Sequence, residues 1–166
     1  RKIHNATLDY TEDYSEFVTE SIRKRYPWAA EFELATISLH RMASSSPAAF
    51  LNALGMKMNG QFEDPKLSAF LRLISEKPDE RWLVFTEFKR TAEYLANNIR
   101  DRLILSMSGD STIEERQANT YLFRETNSSV LIMTPVGSEG LDFQVCSNLV
   151  NYDLHWNPMK IEQRIG

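Results

Sequence analysis

The sequence predicts an α/β fold: a parallel sheet with helices on both faces, preceded by a helical segment. Three observations carry this. Four short, almost uninterrupted apolar runs occur at 82–86, 103–107, 130–134 and 149–152. Strands that are apolar on both sides of the chain belong to sheets covered on both faces. Stretches with helical apolar spacing alternate with these runs, as parallel connections demand. Finally, Gly55, Gly60 and Pro65 punctuate a polar stretch that separates the sheet region from a purely helical front. The expected organisation is a helical segment over 1–61 and the α/β lobe over 62–166.

The elements follow in order. Tyr14, Phe17, Val18 and Ile22 have helix spacing, with Thr11 as N-cap and Tyr26-Pro27 as the stop. A second helix covers about 30–43, with Phe32, Ala35, Leu39 and Met42 on one face. The run Ser44-Ser-Ser-Pro47 breaks it and starts another, because serine caps and proline suits a first turn. In the lobe, Leu67, Phe70, Leu71 and Ile74 define a helix before the 82–86 strand, and Phe88, Ala92, Leu95 and Ile99 define one after it. Ser111-x-x-Glu114 or Thr112-x-x-Glu115 is a capping box that opens a helix to about Arg124.

The chain has 166 residues, 42% of them hydrophobic and 25% charged, as expected of one folded domain or a domain with a small appendage. No apolar run is long enough to span a membrane, and the N-terminus has no apolar signal core. The single cysteine, Cys146, forms no intrachain disulfide; it reads as a small buried hydrophobe in a protein of a reducing compartment, the cytoplasm of a bacterium or the nucleus of a eukaryote. The net charge is −4. Residues 1–60 carry seven basic and seven acidic side chains, and residues 61–166 carry twelve and sixteen. Global charge therefore gives no support to nucleic-acid binding, which needs a local groove or a second domain. His4, His40 and His155 are scattered and have no metal-ligand spacing.

Ligands of open α/β sheets bind beyond the carboxyl ends of the strands. Thr86-Glu87, 106–109, 134–140 and 153–157 occupy those positions and gather hydroxyls, carboxylates and glycine-rich backbone at one rim. Each loop alone reads as a turn; all four together read as a site. There is no G-x-x-x-x-G-K-[ST] phosphate loop. Asp79-Glu80-Arg81-Trp82 looks like an acidic magnesium-binding box, but it precedes a strand instead of ending one and is rejected.

The ordered motifs carry a resemblance. Trp82-Leu-Val-Phe-Thr-Glu-Phe, then Glu93-Tyr-Leu, resembles helicase motif IV and its helix. Gly109 through Arg116, then Phe123, is similar to the G-x-x-x-x-x-x-R … F segment that follows it. Thr134 through Gln144 resembles motif V, and Asn151-Tyr-Asp-Leu-His-Trp-Asn-Pro, then Gln163-Arg-Ile-Gly, resembles the approach to motif VI. Trp-Asn-Pro with Ile-Glu-Gln-Arg-Ile-Gly is similar to the Swi/Snf-like branch of superfamily-2 helicases, especially bacterial members related to the RNA-polymerase-recycling ATPase. Leu39-His-Arg-Met-Ala-Ser-Ser-Ser-Pro resembles a segment those proteins carry before their second lobe. The resemblance covers roughly 35–166.

It implies the second RecA-like lobe, a P-loop-NTPase-like sheet, of an ATP-driven translocase on nucleic acid, double-stranded DNA above all. ATP and Mg2+ would be held mainly by an N-terminal RecA-like lobe of the same protein. Thr134, Gly137 and Ser138 would meet a nucleic-acid phosphate through a hydroxyl and backbone N–H groups, with Thr86 beside them. Gly140, Asp142 and Gln163 would face the nucleotide in the interlobe cleft. For Thr86 a strand-end cap, for Gly140 a turn and for Asp142 a helix cap are the plainer alternatives. Arg116, with neutral Thr112 and Thr120 one turn away, reads as a solvated surface residue, and Trp156 as local core. The family's arginine pair is expected just beyond Gly166, within motif VI, so Arg164 is not given that role and the chain alone is expected to be inactive. Pro135 stands where many relatives carry an acidic residue, which alters the loop's contacts because proline has no N–H. A strand-separating DNA or RNA helicase, and an inactive helicase lobe that serves for docking, remain open alternatives.

Overall fold

A computed structural model describes residues 2–5, 12–28, 33–57, 64–136, 146–155, 157, 159 and 161. The elements are β1 (Lys2–Asn5), α1 (Glu12–Arg25), α2 (Glu33–Ser45), α3 (Pro47–Ala53), α4 (Pro65–Ser75), β2 (Trp82–Phe85), α5 (Lys89–Asn98), β3 (Leu103–Met107), α6 (Ile113–Glu125), β4 (Ser129–Met133) and β5 (Asn148–Asn151). The strands form one sheet in the order β1-β5-β2-β4-β3, and every pairing is parallel.

The sheet is a two-sided core because its strands alternate between two apolar faces. Trp82, Val84, Val130, Ile132 and Val150 point to one side, where Leu67, Phe70 and Ile74 of α4 and Ala92 and Leu95 of α5 cover them. Leu83, Phe85, Leu131, Met133 and Leu149 point to the other, where Phe123 of α6 and Cys146 pack. The register puts like with like: Val84 pairs with Ile132 and with Val150, and Leu83 with Leu131 and with Leu149. A one-residue slip would exchange the two faces along a whole strand.

The helix ends follow the expected chemistry. Ser46 caps α3 by accepting from Ala49 N at 3.1 Å, with Pro47 in the first turn. Asp64 caps α4 by accepting from Leu67 N at 2.9 Å. Thr112 and Glu115 form a reciprocal capping box on α6, at 3.2 and 2.9 Å. At the end of α3, Met56 N donates to Leu51 O and Gly55 N to Asn52 O, with Gly55 at φ 68. This paired closure requires the left-handed conformation that glycine adopts without cost. Thr112→Ala removes one half of the α6 box and is expected to cost about 1 kcal/mol. A denaturation midpoint equal to that of the wild type would show that the box contributes nothing.

The front of the chain differs from expectation in one respect. It is not wholly helical, because Lys2–Asn5 adds a strand alongside β5 with Ile3 opposite Leu149. Four residues without a clear alternation carry no strand signal of their own; the exposed ladder edge of β5 supplies it. Tyr14, Val18 and Ile22 of α1 pack with Ala43, Phe50 and Leu54 into a small separate core. Thr11 and Phe32 lie outside the described residues.

Candidate nucleic-acid and interlobe rim

The carboxyl ends of β2, β3, β4 and β5 converge on one rim, and a buried carboxylate organises two of them. Asp153, just beyond β5, accepts from Lys66 Nζ at 2.9 Å through Oδ1. Its Oδ2 accepts from Thr86 Oγ1 at 2.6 Å, Ser45 Oγ at 2.8 Å and Glu87 N at 2.9 Å. The Lys66 and Asp153 side chains are each only 10% exposed. A charged pair this deep needs its remaining hydrogen-bonding capacity satisfied. Lys66 meets that demand by also donating to the carbonyls of Ser44 and Ser45, at 3.0 and 3.2 Å, and by lying 4.1 Å above the Tyr152 ring. Burial, with Asp64 and Asp153 adding to it, pushes the Tyr152 phenol well above its ordinary value and keeps it neutral.

The network extends into the helical front. Thr91 of α5 shares hydrogen bonds with Ser45 and Ser46, at 2.7 and 2.8 Å. Glu87 pairs with Arg41 of α2, and its other oxygen faces His155 Nε2 at 3.8 Å. Residues from α2, α4, β2, α5 and β5 thus meet in one buried polar joint.

A second device joins the other two strand ends. The Arg116 guanidinium donates to Ser111 O and Ser108 O, both at 3.2 Å, and to Val136 O at 3.3 Å. It ties the loop after β3 to the loop after β4. The same loops touch at Gly109, where a Cβ would come within 3.4 Å of Val136 Cγ1. Arg116 is therefore not a solvated surface residue. Its lack of an i,i+4 partner was visible in the sequence; that it would bond three carbonyls across two loops was not.

Thr86 is 0% exposed and donates its hydroxyl to Asp153, the geometry of the strand-end tie that the sequence offered as the plainer alternative to a phosphate contact. Thr134 lies at the rim beside it in the sheet, is 6% exposed, and continues the ladder by donating its N–H to Met107 O. Gly137, Ser138, Gly140, Asp142, Gln163, Arg164 and Trp156 lie outside the described residues. Lys66 and Ser45 were missed as site residues, and Asp153 was placed at the rim without its partners. The available signal was Lys66 on the apolar stripe of α4, in line with Phe70 and Ile74, and an aspartate directly after an apolar strand.

The described residues do not fit a magnesium–nucleotide site by themselves. Asp153 and Glu87, the rim carboxylates, are already engaged by Lys66 and Arg41, and no group of three potential metal ligands occurs among the described residues. No helix among them is long and apolar enough to cross a membrane.

Comparison with known proteins agrees with the motif order. A family profile described as the helicase conserved C-terminal domain matches residues 65–166. The chain belongs to the helicase conserved C-terminal domain family. Its relatives include the uncharacterized ATP-dependent helicase YqhH of Bacillus subtilis, 39% identical over 93 residues, which are 55% of this chain and 16% of that protein. The RNA polymerase-associated protein RapA of Pectobacterium carotovorum is 36% identical over 108 residues, 62% of this chain and 11% of that protein. The helicase C-terminal lobe thus spans a small part of the curated relatives it matches. Among solved structures, the SWI2/SNF2 ATPase C-terminal domain of Sulfolobus solfataricus superimposes with a TM-score of 0.71 at 15% identity, over 94% of this chain and 73% of that one. That likeness establishes the shared RecA-like fold.

Proposed function

We propose that this lobe is one half of an ATP-driven motor that moves along nucleic acid, with double-stranded DNA as its track. The observation that supports this most is the rim itself. The strand ends are pinned in two pairs, β2 with β5 through Asp153 and β3 with β4 through Arg116, at the edge where the motif V sequence, from Thr134 onward, leaves the sheet. A hydroxyl and glycine-rich backbone at such an edge suit phosphate contacts, which grip the track without reading its sequence. In this reading Thr134, Gly137 and Ser138 hold the backbone, while Gly140, Asp142 and Gln163 face the cleft toward a first lobe that carries ATP and Mg2+. Placing half of a site on each lobe makes chemistry depend on closure, and cycles of closure and opening become movement.

The test is ATP hydrolysis by the full protein that carries this chain, without polymer and with duplex DNA, single-stranded DNA or RNA. Strong stimulation by duplex DNA is expected, together with loss of that stimulation in Thr134→Ala and no turnover by residues 1–166 alone. Stimulation only by single strands or RNA would replace the translocase reading with strand separation. Hydrolysis in none of the four conditions would replace it with a docking role.

A further inference from the structure

The bend between α2 and α3 is held at both helix ends by one ion pair of the lobe. At the end of α2, the carbonyls of Ser44 and Ser45 accept from Lys66 Nζ at 3.0 and 3.2 Å, which puts a cation where a helix C-terminus favours one. At the start of α3, the capping hydroxyl of Ser46 reaches Asp153 through two other hydroxyls. Ser46 Oγ lies 2.8 Å from Thr91 Oγ1, Thr91 Oγ1 lies 2.7 Å from Ser45 Oγ, and Ser45 Oγ lies 2.8 Å from Asp153 Oδ2. The ends of this chain fix the direction of every bond in it. Each hydroxyl has one proton to give, and a carboxylate paired with an ammonium only accepts. Ser45 therefore donates to Asp153, Thr91 donates to Ser45, and Ser46 donates to Thr91. The Ser46 oxygen is left to accept from Ala49 N, the bond that caps α3. None of the three hydroxyl residues is more than 2% exposed, so water does not compete for these bonds. Hydrogen bonds that run head to tail onto a charge polarise and strengthen one another.

We propose that the Lys66–Asp153 pair is a clasp that makes helices α2 and α3 part of the lobe, so that the cooperative unit begins at α2 and not after the polar stretch before α4. The pair serves both helix ends, Lys66 directly and Asp153 through the one-way chain of Ser45, Thr91 and Ser46. A segment confined to 65–166 leaves the Lys66 ammonium without two of its carbonyls and Asp153 without the Ser45 hydroxyl. In the other direction, the cap of α3 depends on a carboxylate that lies just beyond β5.

Amide hydrogen exchange in this chain, followed by NMR, tests the clasp. Thr91→Val keeps the shape of the side chain and removes its hydroxyl. Ser45→Ala removes a hydroxyl that bonds neither Ser46 nor Ala49. In each variant the Ala49 amide should exchange about tenfold faster, the effect of weakening one hydrogen bond, while Ile132 in the sheet keeps its protection. Thr91→Ser retains the hydroxyl and should stay close to the wild-type rate. An unchanged Ala49 rate in either of the first two variants would overturn the chain. So would an equal rise at Ile132, which marks a general loss of structure, or a Thr91→Ser rate as fast as that of Thr91→Val. In the wild type under rising urea, the Leu54 amide, which donates to Phe50 O within α3, and the Ile132 amide should come to exchange through one common opening. If Leu54 opens at urea concentrations that leave Ile132 fully protected, α3 is not part of the cooperative unit and the clasp is overturned.

Discussion

Asp153→Ala is expected to destabilise the lobe by about 3–5 kcal/mol, because it leaves the Lys66 ammonium buried without its counter-charge. The substitution also strips an acceptor from Thr86 Oγ1, Ser45 Oγ and Glu87 N at once. Each buried donor left unmade costs on the order of 1–3 kcal/mol, although one shared network does not add up pairwise. Only a tenth of either charged side chain is exposed, so solvent cannot replace the lost partner well. Pairing Asp153→Ala with Lys66→Met should recover part of the loss, since removing both charges is milder than orphaning one. Urea denaturation of the single and double variants measures this directly. A loss below about 1 kcal/mol for Asp153→Ala, the range of exposed pairs, would mean that the joint is solvated in solution.

Phe123→Ala is expected to cost a similar 3–5 kcal/mol, by a different mechanism. Phe123 is 0% exposed and is the only buried side chain that α6 contributes, so it alone plugs that helix onto Leu105, Met107, Leu131 and Met133. Removing the ring opens a cavity that a single helix resting on a rigid sheet cannot collapse to fill. Phe123→Leu should recover more than half of the loss, because most of the volume returns. Equal destabilisation by Leu and Ala would show that ring shape, not volume, anchors α6. The substitution also bears on the rim, since α6 carries Arg116. Loosened packing would release the carbonyls of Ser108 and Val136 together.

The sheet was legible because its signals are local. The run Trp82-Leu-Val-Phe and the run Ser129-Val-Leu-Ile-Met are apolar at every position but one, and only a strand buried on both faces needs that. The α6 box was legible from Thr112 and Glu115 alone, as was the restart of helix at Ser46-Pro47. Lys2–Asn5 was not legible as a strand, because its pairing comes from Asn148–Asn151, far along the chain. Thr86 was assigned outward for the same reason. Whether a hydroxyl at a strand end faces solvent or a buried acceptor depends on what the neighbouring strand carries, and here it carries Asp153.

The sequence by itself determined the fold class, the order of the lobe's elements, the membership in the helicase family and the rim where the motifs gather. Those depend on periodicity, caps and motif order, all encoded within a few residues of one another. Only the tertiary structure decided that Asp153 is a junction of four donors, that Arg116 staples two loops, and that α2 reaches the exit of β5. The partners in these contacts lie 5 to 108 residues apart, and most are more than 20 apart. A charge has no sequence signature for its partner at that distance; the partner is chosen when the packed sheet excludes water and buried polar groups must find hydrogen bonds within the protein.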